Sequence, residues 1–589
     1  MWEPLKYQQG RAGGKPQSET CFPAILRYPD DMCTRVTLCI CLLLGSAMGA
    51  SALGPHEMLL LINTNSARSV ELANHYIALR KIPAQNVIEV GVPSAAIEGA
   101  AQISREDYTR SIWEPLQAAL RERRLEDHIL AVAFSADFPV SVTTDPVVSV
   151  QGLTLVRNQL PPAAAISNGQ YASRLFAGPG RDLQKRGAPR TLENFAMILG
   201  TNMPMPSMSL AHTGLRGETL DQAIARLESS ARPQGSPPPG QVFFLTSEDV
   251  RTTCRSWQFE DVVKELKGIG QAAQIVPLAK ANRAEQAWGI MAGVYLLDPA
   301  KLPQLVPGSI GEHLTSFVAL FTDGVQTKST AWLLAGAAGT AGTVTEPLSN
   351  WTKFPTGRIF VHYASGCTLL ESFAQSVLCP MQLAIIGDPL LAPWSKPQGI
   401  TLVSLAEETG PVSGTVEFAA STWAGLNDRN SSIMYLLDGR SVMPSGAPPM
   451  VHINTRLLAD GYHELRAIVY SSGLVRQQGF TTLGFMVNNR GYSLKLTGLS
   501  ENERLAWEDA RPIHLDVHPA PESVALVQHE SFLASQPWTE TSTYTLRPSL
   551  LGPGPATIQL AALYKSGEVV KSAPLRITIA RPGEATLAP

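Results

Sequence analysis

The chain is 589 residues long, and a single hydrophobic core rarely grows beyond about 250–300 residues, so more than one domain is required. Hydrophobic residues make up 44% and charged residues 16%, a balance that excludes a disordered chain. The formal net charge is −3, from 47 basic and 50 acidic residues with no basic stripe, which excludes nucleic acid as a partner.

Residues 1–52 read as a leader. VTLCICLLLG at 36–45 is a short apolar run with Arg35 before it and the small-residue stretch SAMGASA after it. A basic start, a short apolar stretch and an A-x-A at 50–52 are the marks of a signal peptide. The run is about half the ~20 residues that span a bilayer. Met32 is the expected true start, with cleavage after Ala52. No later segment is long and apolar enough for a membrane anchor, so the mature protein is expected to be soluble and periplasmic, cell-surface or extracellular.

From residue 58 to about 395 apolar strand-like runs alternate with helical periodicity. MLLLINTNS at 58–66, NVIEVGV at 86–92 and HILAVAFS at 128–135 read as buried strands. Between them, 69–81 carries Val70, Ala73 and Ile77 on one helical face before Pro83, and 104–124 opens with S-R-E-D, a cap followed by acids. A long irregular insertion is expected over 137–192. The pattern resumes with strands at 241–247, 273–279, 288–297, 339–347 and 381–389, a helix at 257–268, and a solvated Pro-rich loop at 232–240. Buried strands separated by helices predict a mainly parallel three-layer α/β/α domain over 55–395.

After Trp394 short alternating segments replace the helices. TVEFAAS at 415–421, MYLLDG at 434–439, YHELRAIVY at 462–470 and TLGFMV at 482–487 predict an immunoglobulin-like β-sandwich over 398–493. IHLDV, ATIQLAALY and LRITI predict a second over 496–582.

Several segments, among them NTNSARSVELANHYIALRKIPAQNVI, PSMSLAHTGLRGETLDQAI, VFFLTSEDVRTTCR, AGAAGTAGTVTEP, KFPTGRIFVHYASGCTLLESFAQS and IIGDPLLAPW, carry a resemblance. Their order and spacing are similar to those of a family of exported bacterial proteins of unassigned activity, whose core resembles the gingipain/caspase-like α/β fold of cysteine peptidases. The resemblance implies a His and then a Cys at the ends of neighbouring strands. Here 288–297 offers no histidine, and the segment aligned with the nucleophile strand reads GEHLTSF, with Thr315 and Ser316 in place of a cysteine. The dyad that the resemblance implies is missing.

Other polar groups sit where open α/β sheets hold ligands. His313, Thr315 and Ser316 lie at a strand mouth. Glu346 and Asp388 each follow a predicted strand, and both are expected at the same sheet edge. There they would do acid–base work, hold a divalent cation, or brace loops. Cys367, five residues after His362, lies at a predicted helix start that lowers a thiol's pKa; packed inside, it would be a small hydrophobe. Asp249, Arg251 and Arg255 after the 241–247 strand would bind an anion or form a solvated, internally paired loop.

Catalytic candidates are therefore His313, Ser316, Glu346 and Cys367, and binding candidates are Thr315, Asp388, Asp249, Arg251 and Arg255. Neither a metal site nor a cofactor motif is present in the sequence. Beyond the leader, the remaining thiols, Cys254, Cys367 and Cys379, are odd in number and show no disulfide or metal spacing. The functional reading is an exported protein with spacer or attachment sandwiches. A secreted peptidase-like hydrolase and a surface module that binds an envelope polymer or a protein are the alternatives.

Overall fold

A computed structural model describes residues 52–93, 101–180, 186–231, 235–322, 324–396, 398–406, 410–422, 432–539 and 541–584. The leader expected before Ala52 lies outside these residues.

Ten strands of the first part make one sheet: β1 (Met58–Asn63), β2 (Val87–Val90), β3 (Ala131–Phe134), β4 (Ser207–Ser209), β5 (Gln241–Thr246), β6 (Ala273–Pro277), β7 (Gln286–Ala292), β8 (Gln304–His313), β9 (Gly339–Thr343) and β10 (Leu383–Gly387). Their order is β2-β1-β3-β4-β10-β9-β8-β7-β5-β6. β1 is buried along its whole length. Its alternate side chains enter two different cores, Leu60 and Ile62 with Tyr76 and Phe244, and Leu59 and Leu61 with Tyr108 and Phe134. That division is what helices on both faces of a sheet require.

Helix α1 (Ala67–Arg80) begins two residues before its apolar periodicity because Ser66 caps it, accepting from the Ser69 amide. It ends where Lys81 turns left-handed at φ 56°, two residues before Pro83. The other helices that position the sites are α2 (Leu192–Leu199), α3 (Leu220–Ser230), α4 (Phe259–Gly268), α5 (Ser329–Leu334), α6 (Ile359–Ala364) and α7 (Leu369–Ser376).

The parallel sheet departs from expectation at one strand. β8 runs parallel to β7 and β9, with Met291 level with Glu312 and Ile310 level with Gly339. β10 runs antiparallel to β9, Gly339 facing Gly387 and Thr343 facing Leu383. It joins β4 through one pair, Ile386 with Ser209. Within the expected irregular insertion, Ser141–Thr143 and Val148–Ser149 form a small three-stranded sheet with Gln102–Ser104 from outside it, and the helices Val150–Leu155 and Ala163–Ser167 follow.

Two β-sandwiches follow. The first stacks the sheet β11 (Ile400–Ser404), β12 (Thr415–Thr422) and β15 (Met450–Asn454) on a sheet ordered β14-β13-β16-β17, where β13 is Ser432–Leu437, β14 Arg440–Ala447, β16 Gly461–Tyr470 and β17 Gln478–Val487. The second repeats the succession: β18 (Ser493–Thr497), β19 (Arg511–His518) and β22 (Thr543–Leu546) face β21 (Ser531–Pro537), β20 (Ser523–Gln528) and β23 (Gly554–Leu563), with β24 (Val569–Lys571) and β25 (Leu575–Ile579) pairing β23. These strand orders are immunoglobulin-like, and each sandwich fills its own apolar core.

The sandwiches are not strung out from the α/β part. Asn74 on α1 donates to the Leu551 and Pro553 carbonyls at 3.0 and 2.9 Å, and Arg581 pairs with Glu71 at 2.6 Å. The first sandwich contributes Arg476, 2.7 Å from Glu193 on α2, and the Leu474 carbonyl, 3.0 Å from the Thr191 amide. No helix among the described residues is long and apolar enough to cross a membrane.

Candidate functional site

The ends of β5, β7, β8 and β9 form one rim, because those strands are parallel and Ala292 stands level with His313. His313 is fully buried there. Its Nε2 lies 2.8 Å from the Val294 carbonyl, which only accepts, so Nε2 carries the proton and the lone pair sits on Nδ1. That Nδ1 has no partner among the described residues. Burial pushes the ring's pKa down to about 3, so His313 is neutral. The Trp332 ring meets it edge-on at 6.0 Å and lies over Gly311, where a Cβ would fall 2.3 Å from the indole.

Thr315 and Ser316 are also buried and converge on one side chain. The Thr315 hydroxyl and the Ser316 amide both donate to Oε1 of Gln326, the latter at 2.6 Å. Among the described residues no hydrogen bond joins His313 to Ser316 or to Glu346. Glu346 is exposed and accepts from the Leu348 amide at 2.9 Å, bracing a turn in which Leu348 and Ser349 are left-handed.

Asp249 caps the short helix Val250–Thr253 and accepts from the Arg251 and Tyr295 amides at 2.9 and 3.2 Å. Arg251 folds back on Asp249 at 3.2 Å, its guanidinium 5.4 Å from the centre of the Tyr295 ring. Arg255 lies beneath the rim, 1% exposed, paired with the fully buried Glu312 and donating to the Ala292 carbonyl at 2.5 Å. Burial pushes the Glu312 acid up to about 7 against the pull of Arg255. Each arginine of the stretch 249–255 thus has a carboxylate partner, Arg251 with Asp249 at the partly exposed rim and Arg255 with Glu312 beneath it.

Asp388 does not share this rim. The antiparallel course of β10 puts it at the opposite edge, which corrects the expectation that Glu346 and Asp388 meet. There it accepts from the Tyr76 hydroxyl at 2.8 Å and from Arg80 Nε at 3.1 Å, with Arg80 Nη2 as a further donor. Arg80 also reaches the Ser230 carbonyl at 3.1 Å. Nothing in the sequence linked Arg80 or the Tyr76 hydroxyl to Asp388.

Cys367 is likewise away from the rim, since its neighbour Leu369 donates to Leu391, beyond Asp388, at 2.8 Å. The thiol is fully buried, 3.5 Å from the Arg190 carbonyl and 3.6 Å from Gln375 Nε2. The helix cap is Thr368, in a capping box with Glu371, so Cys367 lies outside the helix start. Burial, and then the nearby Glu371, push the thiol's pKa up, the reverse of activation. Both ring nitrogens of His362 lack hydrogen-bond partners among the described residues, so no imidazole is aimed at the sulfur. Cys254 is half-buried and Cys379 buried; none of the three thiols forms a disulfide.

A cleft of about 370 Å³ opens at the Asp388 edge. Arg80, Ser230, Pro238, Gln304, Gly308 and Pro393 are among the residues that line it. Gly308 takes φ +88°, a backbone conformation that favours glycine, although a Cβ there would make only ordinary contact with Pro393 at 3.4 Å. Among the described residues no group of three or more His, Cys, Asp or Glu side chains is arranged to hold a metal.

No protein-family model matches the chain, and no curated protein matches it. Solved structures similar in arrangement include a complex of the pro- and mature domains of Porphyromonas gingivalis RgpB, at 10% identity and TM-score 0.36 over 73% of this chain and 100% of that one. A second is gingipain R, an Arg-specific cysteine proteinase, at 9% identity and TM-score 0.38 over 74% and 98%. The fibronectin(III)-like modules of Clostridium thermocellum CbhA match at 14% identity and TM-score 0.14 over 32% and 100%. Likenesses of this size transfer neither a residue role nor an activity.

Proposed function

We propose that the chain is an exported binding protein whose α/β unit, 55–395, recognises a ligand without converting it. On this reading the sandwiches, 398–493 and 496–582, are braces fixed to that unit. The observation that carries it is the contrast between the two sheet edges. At the rim His313 and Ser316 are buried and engaged elsewhere, whereas the cleft lined by Gln304, Ser229, Ser236 and prolines opens at the other edge. Neutral amide and hydroxyl donors beside apolar rings suit an uncharged, hydrogen-bonding ligand such as an envelope glycan or an extended peptide.

The test exposes the full chain to panels of envelope polysaccharides and peptides. Retained, chemically unchanged ligand is expected, and Gln304→Trp, which puts a bulky ring in the cleft lining, should abolish retention. Cleaved product, or covalent capture of Ser316 or Cys367 in the native protein by a fluorophosphonate or an alkylating agent, would sink the reading.

A further inference from the structure

The seam between the α/β unit and the first sandwich holds a carboxyl group that has no cationic partner among the described residues. Glu57, just ahead of β1, is 2% exposed. Its Oε2 accepts from the Gly54 amide at 2.8 Å and from Gln478 Nε2, on β17, at 2.7 Å. Its Oε1 faces the Tyr470 hydroxyl, on β16, at 3.3 Å, and that hydroxyl lies 3.2 Å from Nε2 of the buried His56. All three direct partners are neutral. Arg476 of the sandwich pairs instead with Glu193. A buried carboxylate with no counter-charge is strongly disfavoured, and such a group either keeps its proton or acquires a cation. Burial, with Glu193 and Glu371 adding repulsion, accordingly pushes Glu57 up to about 8.

The chain next to this carboxyl is the expected leader junction. Ala52 and Leu53 are each 1% exposed, and the Gln478 amide that holds Glu57 also donates to the Ala52 carbonyl at 2.8 Å. The Leu53 nitrogen lies one residue, about 3.8 Å of chain, upstream of the Gly54 amide that already touches Glu57. We infer that removal of the leader after Ala52 sets the Leu53 α-ammonium beside Glu57, so that the processed amino terminus is the counter-ion fastening the first sandwich to the α/β unit. This rests on the export reading above.

The chemistry is hydrolysis by a leader peptidase before the chain folds. Water's hydroxyl goes to the Ala52 carbonyl carbon and its proton to the Leu53 nitrogen, and the resulting amine takes a further proton from solvent. An α-amino group keeps that proton up to about pH 8, higher still beside a carboxylate. The other ionisable groups acting at the seam are His56, His128, Glu193 and Glu371 from the α/β side, and Tyr470, Arg466 and Arg476 from the sandwich. His56 is held neutral, chiefly by burial, so it does not compete for the role.

The test produces the full chain with its own leader in an exporting bacterial host and reads the mature amino terminus by mass spectrometry, with Leu53 expected. Native-state proteolysis is then compared with that of a chain retaining Ala52, each with and without Glu57→Gln. The substitution should speed cleavage at the seam by about tenfold or more in the Leu53 chain, and leave the extended chain unchanged or slower. Equal effects in both chains would overturn the inference.

Should Glu57→Gln fail to fold, acetylation of the Leu53 amine in the native wild-type protein decides. Suppression of about tenfold relative to the denatured chain is expected if the amine is buried in its pair, and an unsuppressed rate overturns the inference. An exported chain beginning elsewhere overturns this inference and leaves export standing. A chain kept inside the cell with its leader attached overturns both.

Discussion

The two edges of the ten-stranded sheet use similar residues for opposite ends. At the rim closed by β7 and β8, an arginine–glutamate pair, a neutral histidine and two hydroxyl residues are all buried and bonded inward, and the surface above them carries exposed Val250, Tyr295, Leu296 and Val325. At the Asp388 edge another arginine–carboxylate pair, Arg80 with Asp388, stands in the wall of an open cleft. Ionisable side chains at strand ends do not by themselves distinguish a site from a seal. What distinguishes them is whether the fold closes over those groups: His313 Nδ1 has no partner among the described residues yet is fully buried, whereas the Arg80–Asp388 pair borders an open cleft.

The strongest way to break this comparison is to remove a charge from the sealed rim. Arg255→Met leaves the fully buried Glu312 without its cation and should cost about 3–5 kcal/mol in urea denaturation. Pairing it with Glu312→Leu should return most of that loss, since replacing both partners removes the stranded charge. A single substitution costing under about 1 kcal/mol would mean that water already reaches the rim.

The same operation at the other edge should cost less. Asp388→Ala strands Arg80 and Tyr76, but the Arg80 side chain is 10% exposed beside the cleft and can turn toward water. A loss of about 2–3 kcal/mol is expected, less than for Arg255→Met, because a partly hydrated charge is cheaper to leave unpaired. If both substitutions cost the same, the cleft edge is as closed as the rim and the contrast between them fails. Urea midpoints of the two variants, taken side by side, settle the order.

Much of the fold was legible because burial writes a period into the chain. The runs MLLLIN, QVFFLT and LAIIG could be read as strands since each is buried on both faces. IHLDV could be read because its sandwich exposes one face, and YHELRAIVY because it alternates at its start and is buried from Leu465 to Tyr470. β4 escaped for the opposite reason: Ser-Met-Ser at 207–209 is three residues long, two of them polar, so no pattern marks it. The direction of β10 was not legible either. LAIIG is equally apolar whichever way it runs, and only its pairing with Gly339 to Thr343 sends Asp388 to the far edge. The candidate residues at the rim were found, because strand mouths follow from strands. Their engagement was not, since Gln326 and the Val294 carbonyl reach Thr315 and His313 from loops with no periodicity.

The finest distinction between the edges is electrostatic, and His313 carries it. Held at about 3 in the fold against 6.5 when exposed, it binds fewer protons folded than unfolded whenever the pH lies below about 6.5. Stability therefore falls on acidification through that window, at up to about 1.4 kcal/mol per pH unit. Between pH 6.5 and 5 this one ring should withdraw about 2 kcal/mol, which His313→Gln should restore by leaving nothing to protonate. Glu312 works in the other direction: its raised pKa makes its contribution fade as the pH climbs from about 4.5 to 7, so the Gln variant should keep that alkaline decline while losing the acidic one. Urea titrations of both proteins at pH 5, 6 and 7 would expose the difference. Parallel curves for wild type and variant would mean that His313 is already hydrated or charged at pH 5, and a histidine in that state would return the rim to the list of working sites.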